Sequence, residues 1–151
     1  MISRILFGFV AAVIAVLVVH QPIIAALAAG KVIPAVAYNM EAFKTAPAVV
    51  TQAFTALGFK GYPTLFNLMF WGGMWGVLFG LVLAPLAMPS WLKGLLLGIL
   101  VVVAGNWLLV PLIKGGALFG GFDPKRMAIT ALINGPFGVA TGLIYGALRR
   151  T

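Results

Sequence analysis

The sequence predicts an all-α fold, a polytopic membrane protein whose four transmembrane helices form two hairpins. Three observations carry this. Of the 151 residues 63% are hydrophobic and only 8% charged, with a mean hydropathy of +1.15. A water-soluble domain carries about a quarter charged residues, so this chain could not clothe its surface in water-compatible groups. The apolar residues also fall in long blocks rather than on one face at helical period, the pattern of helices that are apolar all round. Each block is about as long as the roughly 20 residues a span requires. The length accommodates four spans and two real loops in one domain, residues 1–151.

The first block runs over about 5–29. Arg4 before it and Ala26-Leu27-Ala28 near its end mimic a cleavable signal, but the apolar stretch is too long for a signal core, so an uncleaved helix is expected. The second block spans about 63–88, between Pro63 and Pro89, and the third about 91–113. The very short connection between them makes these two helices antiparallel neighbours. The fourth covers about 127–148 and stops at Arg149-Arg150. Asp123-Pro124 ahead of it reads as an N-cap followed by proline at the first helical position. The alternative reading, Gly120-Gly121 with Lys125 and Arg126 as a phosphate cradle, uses the same residues. In the long loop 30–62, Thr45 could cap an interfacial helix over about 46–58 with Val50, Phe54 and Leu57 on one face. A re-entrant segment around Ile33 to Met40 is the rival arrangement there.

The formal net charge is +8. Basic residues stand singly or in pairs at block ends, where cationic side chains snorkel to anionic headgroups. Arg4, Lys93, Lys125, Arg126, Arg149 and Arg150 are therefore assigned to lipid headgroups, and membrane lipids rather than nucleic acid are the expected partners. There is no cysteine, which excludes disulfides, thiolate metal sites and a cysteine nucleophile. The positive-inside count is nearly balanced; Arg4 with the free amine against Lys31 tips it toward both termini on the cytoplasmic side.

The two hairpins look alike. A shift of 89 residues carries Arg4 onto Lys93 and Pro22 onto Pro111, and a shift of 62 carries Gly73 onto Gly135 and Trp75-Gly76-Val77 onto Phe137-Gly138-Val139. This would be a parallel internal repeat. Glycines recur every four residues: Gly72, Gly76 and Gly80 on the second helix, Gly138, Gly142 and Gly146 on the fourth. Such a ridge lets helix backbones approach closely, either within one protomer or in a homo-oligomer or larger complex.

Few residues could do chemistry. Within the blocks, threonines aside, the polar side chains are His20, Gln21, Asn67, Asn106 and Asn134. Helix rise places all five in the leaflet facing the two long loops. Two readings compete. In one, the amides bond between helices and repair carbonyls freed by Pro22, Pro111 and Pro136. In the other, they line a polar ligand pocket floored by Trp71 and Trp107. A single histidine excludes a multi-histidine metal site within one chain; no cofactor is expected beyond a bound lipid, and His20 could hold a pigment or haem only with a partner. With its two acids, Glu41 and Asp123, both in loops, nothing points to an enzyme.

Four segments carry a resemblance: Phe7-Gly8-Phe9 with His20-Gln21 in the first helix, Phe70-Trp71-Gly72-Gly73-Met74-Trp75-Gly76, Pro111-Leu112-Ile113-Lys114-Gly115, and Ile133-Asn134-Gly135-Pro136-Phe137-Gly138. Together they resemble a group of small uncharacterised bacterial inner-membrane proteins. The resemblance implies a bacterial inner membrane and four helices, and transfers no activity. The expected role is a non-enzymatic accessory or structural subunit acting through helix packing; the alternative is a small channel, transporter or lipid-binding protein using the polar pocket.

Overall fold

The computed structural model describes residues 1–34 and 40–150. Four of its helices are long and apolar enough to cross a membrane: α1 (Ile2–Ala29), α3 (Thr64–Leu83), α4 (Ser90–Lys114) and α5 (Pro124–Leu148). A short helix, α2 (Ala48–Ala56), lies between the first two. No strand forms among the described residues.

Each hairpin closes on glycine. In the first, Gly8 of α1 faces Gly76 of α3, and Gly80 faces the Arg4 backbone, so α1 and α3 run antiparallel with main chain against main chain. In the second, Gly138 of α5 faces Gly94 and Gly98 of α4, and Gly142 faces the Ser90 backbone. A Cβ on any of these glycines would collide with the opposite backbone, a close approach only glycine permits. The two hairpins join through Val16 and Phe137 at Gly72, and through Trp75 against Gly105. Ala11, Ala12, Ala15, Phe79, Leu97, Phe137 and Tyr145 form the buried centre.

Three of the four long helices widen to i→i+5 pairing just before a proline: Val16–His20 before Pro22, Phe79–Leu83 before Pro85, and Val101–Leu109 before Pro111. A proline ring clashes with the carbonyl four residues earlier, and a widened turn moves that carbonyl away. Pro136 is carried inside α5 without such a stretch.

The expected helix limits shift at several ends. α3 stops at Leu83 rather than near 88, because Pro85 breaks the block and 84–89 becomes the connection to α4. Lys93 secures that connection, donating from Nζ to the Ala84 carbonyl at 2.8 Å. Its ammonium, assigned above to a headgroup, thus serves the end of α3, where a cation suits free carbonyls. α5 starts at Pro124 rather than 127: Asp123 Oδ1 accepts from the Lys125 and Arg126 amides at 2.8 and 3.3 Å, the cap that the Asp-Pro pair predicted. α1 begins at Ile2 rather than 5. α2 begins after Pro47 and ends at Ala56, within the expected 46–58; Pro47, already extended, occupies the capping position and leaves Thr45 too far upstream to cap. The re-entrant alternative around Ile33 to Met40 falls mostly outside the described residues.

Candidate functional site

Of the polar residues expected to share one pocket, Asn67 lines a groove with Trp71, and two of the others bond within their own helices. Asn106 donates from Nδ2 to the Val101 carbonyl at 3.0 Å, and Asn134 from Nδ2 to the Thr130 carbonyl at 3.0 Å. Both bonds lie within the residue's own helix rather than across helices. Neither acceptor is the carbonyl four residues before a proline, so the amides do not repair proline breaks in the way expected. Asn106 instead serves a carbonyl at the start of the widened stretch, where i→i+4 pairing is lost. Gln21 is buried. His20 turns toward α5, its ring edge-on to Phe137 with centroids 6.2 Å apart, and its Nδ1 is buried without a hydrogen-bond partner. No group of three or more His, Cys, Asp or Glu side chains that could hold a metal forms among the described residues.

Trp71 and Trp107 line two separate concavities rather than one floor. The first is a notch of about 240 Å³ between α4 and α5, walled by Gly98, Ile99, Val102, Val103, Trp107, Ala131 and Gly135. A Cβ on Gly135 would meet nothing within 4 Å. The rim is open, since Ile99 is 51% exposed. Trp107 Nε1 is buried there without a partner, while its ring packs on Phe119 at 5.9 Å. Phe119 belongs to a left-handed run through Phe122 that folds the 115–123 loop back over α4.

The second concavity, about 530 Å³, lies between α2 and the start of α3, and Asn67 and Trp71 both line it. Here the chain is built on aromatics. Phe54 of α2 packs on Tyr62, Phe66 and Phe59 at 5.0, 5.3 and 5.7 Å, and Phe43 packs edge-on to Tyr62. The backbone underneath is tied by Phe43 N–H to the Tyr62 carbonyl at 2.7 Å and Thr64 N–H to the Glu41 carbonyl at 2.9 Å. Burial among these rings pushes the Tyr62 phenol above its usual range. Of the face expected on α2, Val50 and Phe54 line the groove, whereas Leu57, past the helix end, is 73% exposed.

The glycine ridges point inward. Gly72, Gly76, Gly80, Gly138 and Gly142 are buried, and a Cβ on Gly146 would stand 2.7 Å from Ser90 Oγ. Of the basic residues, Arg126 reaches its neighbour Asp123 at 3.6 Å and Arg149 lies over the Tyr145 ring at 5.9 Å; Arg4 is half-buried, and Lys125 and Arg150 are exposed.

Sequence reasoning passed over Tyr145, which is buried in the bundle against Phe79 at 5.0 Å. It also missed the aromatic clamp on α2, whose signal was available: Phe43, Phe54, Phe59, Tyr62, Phe66, Phe70 and Trp71 crowd into 29 residues. No family model, curated protein or solved structure matches the chain.

Proposed function

We propose that the chain is a multi-pass protein of a bacterial inner membrane, with both termini cytoplasmic, and serves as a non-enzymatic accessory or structural subunit docked by helix packing to a second copy or a larger complex. One observation carries this reading: the open notch at Gly98 and Gly135. Its glycine-lined, apolar walls suit the close approach of another helix, which in lipid gains from backbone contact and van der Waals packing. Every other glycine of the four long helices meets a neighbour inside the protomer, Gly98 included, so Gly135 is the helical glycine left free to receive a partner.

The hairpins further support a duplicated origin. Their closing contacts correspond at offsets of 86 residues in α1 and α4 (Arg4 with Ser90, Gly8 with Gly94, Ala12 with Gly98) and 62 in α3 and α5. The prolines correspond at 89, three residues later. The widened stretch between those two regions is longer in α4, nine residues against five in α1, and extra residues are what wide turns take up.

Native extraction of tagged protein with identification of co-purifying chains tests the docking. Gly135→Leu fills the notch from the protomer's own side, and it should release the partner or the second copy while leaving the protomer folded. Undiminished association in that variant would rule out the notch. Orientation is tested separately. In a chain without native cysteine, Thr51→Cys and Ala117→Cys should label from the periplasmic side and Ser90→Cys from the cytoplasmic side. Labelling of the first two from opposite sides would overturn the four-span arrangement.

A further inference from the structure

We propose that the groove between α2 and α3 is a binding site for one anionic phospholipid, with an acyl chain along the aromatic wall and the phosphate between Lys44 and Lys60. The proposal rests on the membrane reading above and assigns a ligand to a place that the docking reading does not use.

Shape comes first. From Tyr62 to Trp71 the groove follows α3 for about seven residues beyond Thr64, or roughly 10 Å. One leaflet of hydrocarbon is about 15 Å thick, so the groove accepts most of a chain's length. Its walls are rings and aliphatic groups, with Asn67 the one amide among them. α2 forms the outer wall and buries none of its own residues. Phe54 holds it against Tyr62 and Phe66.

Charge selects the headgroup. Lys44 follows Phe43, whose ring packs on Tyr62, and Lys60 follows Phe59, whose ring packs on Phe54 and Phe66. Both lysines are exposed and neither is engaged in an ion pair among the described residues. Glu41 is the one acid nearby; its main-chain carbonyl holds the Thr64 amide and hydroxyl, and its side chain is exposed. At this end of the bundle six basic residues, Lys31, Lys44, Lys60, Lys114, Lys125 and Arg126, face two acids, and Asp123 is already committed to α5 and Arg126. Lysines close to a membrane surface attract anionic lipid. Each next in the chain to a ring of the clamp that walls the groove, they would hold one such lipid rather than a diffuse cloud.

Trp71 is a reporter in the groove wall. A variant retaining it alone (Trp75→Phe, Trp91→Phe, Trp107→Phe) is reconstituted into vesicles containing either brominated phosphatidylglycerol or brominated phosphatidylcholine at equal mole fraction. Anionic lipid should be enriched at Trp71 by at least about fivefold over zwitterionic lipid, from the attraction of a single surface lysine. Lys44→Gln with Lys60→Gln should abolish the preference, and added inorganic phosphate should leave it intact. Equal quenching by both lipids would reduce the groove to ordinary lipid contact and overturn the proposal. Displacement by phosphate would make the lysines a free-anion site, with the same consequence. A variant retaining only Trp91, exposed at the other end of the bundle, separates the two readings. If Trp91 is quenched and Trp71 is not, the groove is closed by protein and only the lipid proposal fails. If neither is quenched, the membrane reading fails as well. Should the tryptophan replacements unfold the chain, native mass spectrometry of the otherwise unaltered protein decides. One anionic phospholipid should survive extraction and be lost in the double lysine variant, and its absence from the unaltered protein would overturn the proposal.

Discussion

In the first hairpin the ring of Phe9 lies over Gly73; in the second, Gly135, which stands 62 residues further on in the corresponding place, meets nothing within 4 Å. The residue matching Phe9 is Leu95 when the closing contacts are aligned and Gly98 when the prolines are, and neither fills the notch. The same backbone seam therefore carries two different outer surfaces. Glycine against glycine is enough to bring a pair of helices together, because it removes the side chains that would separate them. Whether the seam's flank is then closed or left open depends on one large side chain. The first hairpin closes its own flank. The second leaves an open recess of about 240 Å³.

The long loops differ in the same sense. Ahead of α3 the chain is tied by backbone bonds between 41–43 and 62–64 and clamped by a group of rings. Ahead of α5 a single carboxylate, Asp123, starts the helix, and Phe119, stacked on Phe122 at 5.6 Å, packs on Trp107 of α4. The first loop is thus a small platform with a groove under it, and the second a tight turn beside the notch.

The seams are where the comparison can be broken most decisively. Gly76→Leu and Gly138→Leu each place a large side chain against backbone on the opposite helix, which cannot retreat as a side chain would. Each should destabilise the protein by about 3 kcal/mol or more, the upper end of overpacking costs, seen as a lowered melting temperature in detergent. If either variant melts with the unaltered protein, its seam is not a true contact and the hairpins are not equivalent.

Phe9→Ala is the next largest. It empties the cleft over Gly73 and should cost about 2–3 kcal/mol, below the full range for a buried aromatic because Phe9 is half-buried. Leu95→Ala, exposed in the matching place, should cost under about 1 kcal/mol. Equal losses would mean that the second flank is as closed as the first. The smallest effect on stability is expected for Gly135→Leu, within about 0.5 kcal/mol, because the new side chain enters empty space. A large loss of stability there would show the recess to be needed by the protomer itself, and the docking reading would lose its basis.

Much of the architecture was legible in the residues. Four apolar blocks, the proline and glycine breaks between them, Asp123-Pro124 at the start of α5 and a short helix inside 46–58 all appear in the structure, with ends displaced where Pro85 and Pro47 act locally. The polar set was legible as a list, but not how its members bond. Depth along a helix follows from counting residues, so His20, Gln21, Asn67, Asn106 and Asn134 could be placed at one level. Rotation about the axis does not follow, because a helix apolar on all sides carries no hydropathy signal for which face turns inward. Nor could the sequence say that Asn106 and Asn134 would bond to their own helices.

What the sequence determined by itself is the number and apolar character of the long helices, since these follow from composition and from the requirement that a helix satisfy its own backbone. It also marked helix starts and stops to within a few residues, since caps and prolines act locally, with the end of α3 moved back to Leu83 by Pro85. Only the tertiary structure decided that the ridges of α3 and α5 turn onto α1 and α4 rather than outward, that Phe9 fills one flank while Gly135 leaves the other open, and that five aromatics, Phe54, Tyr62, Phe66, Phe70 and Trp71, gather into the wall of one groove. Those outcomes depend on the shapes of surfaces meeting across tens of residues, and no local preference encodes them.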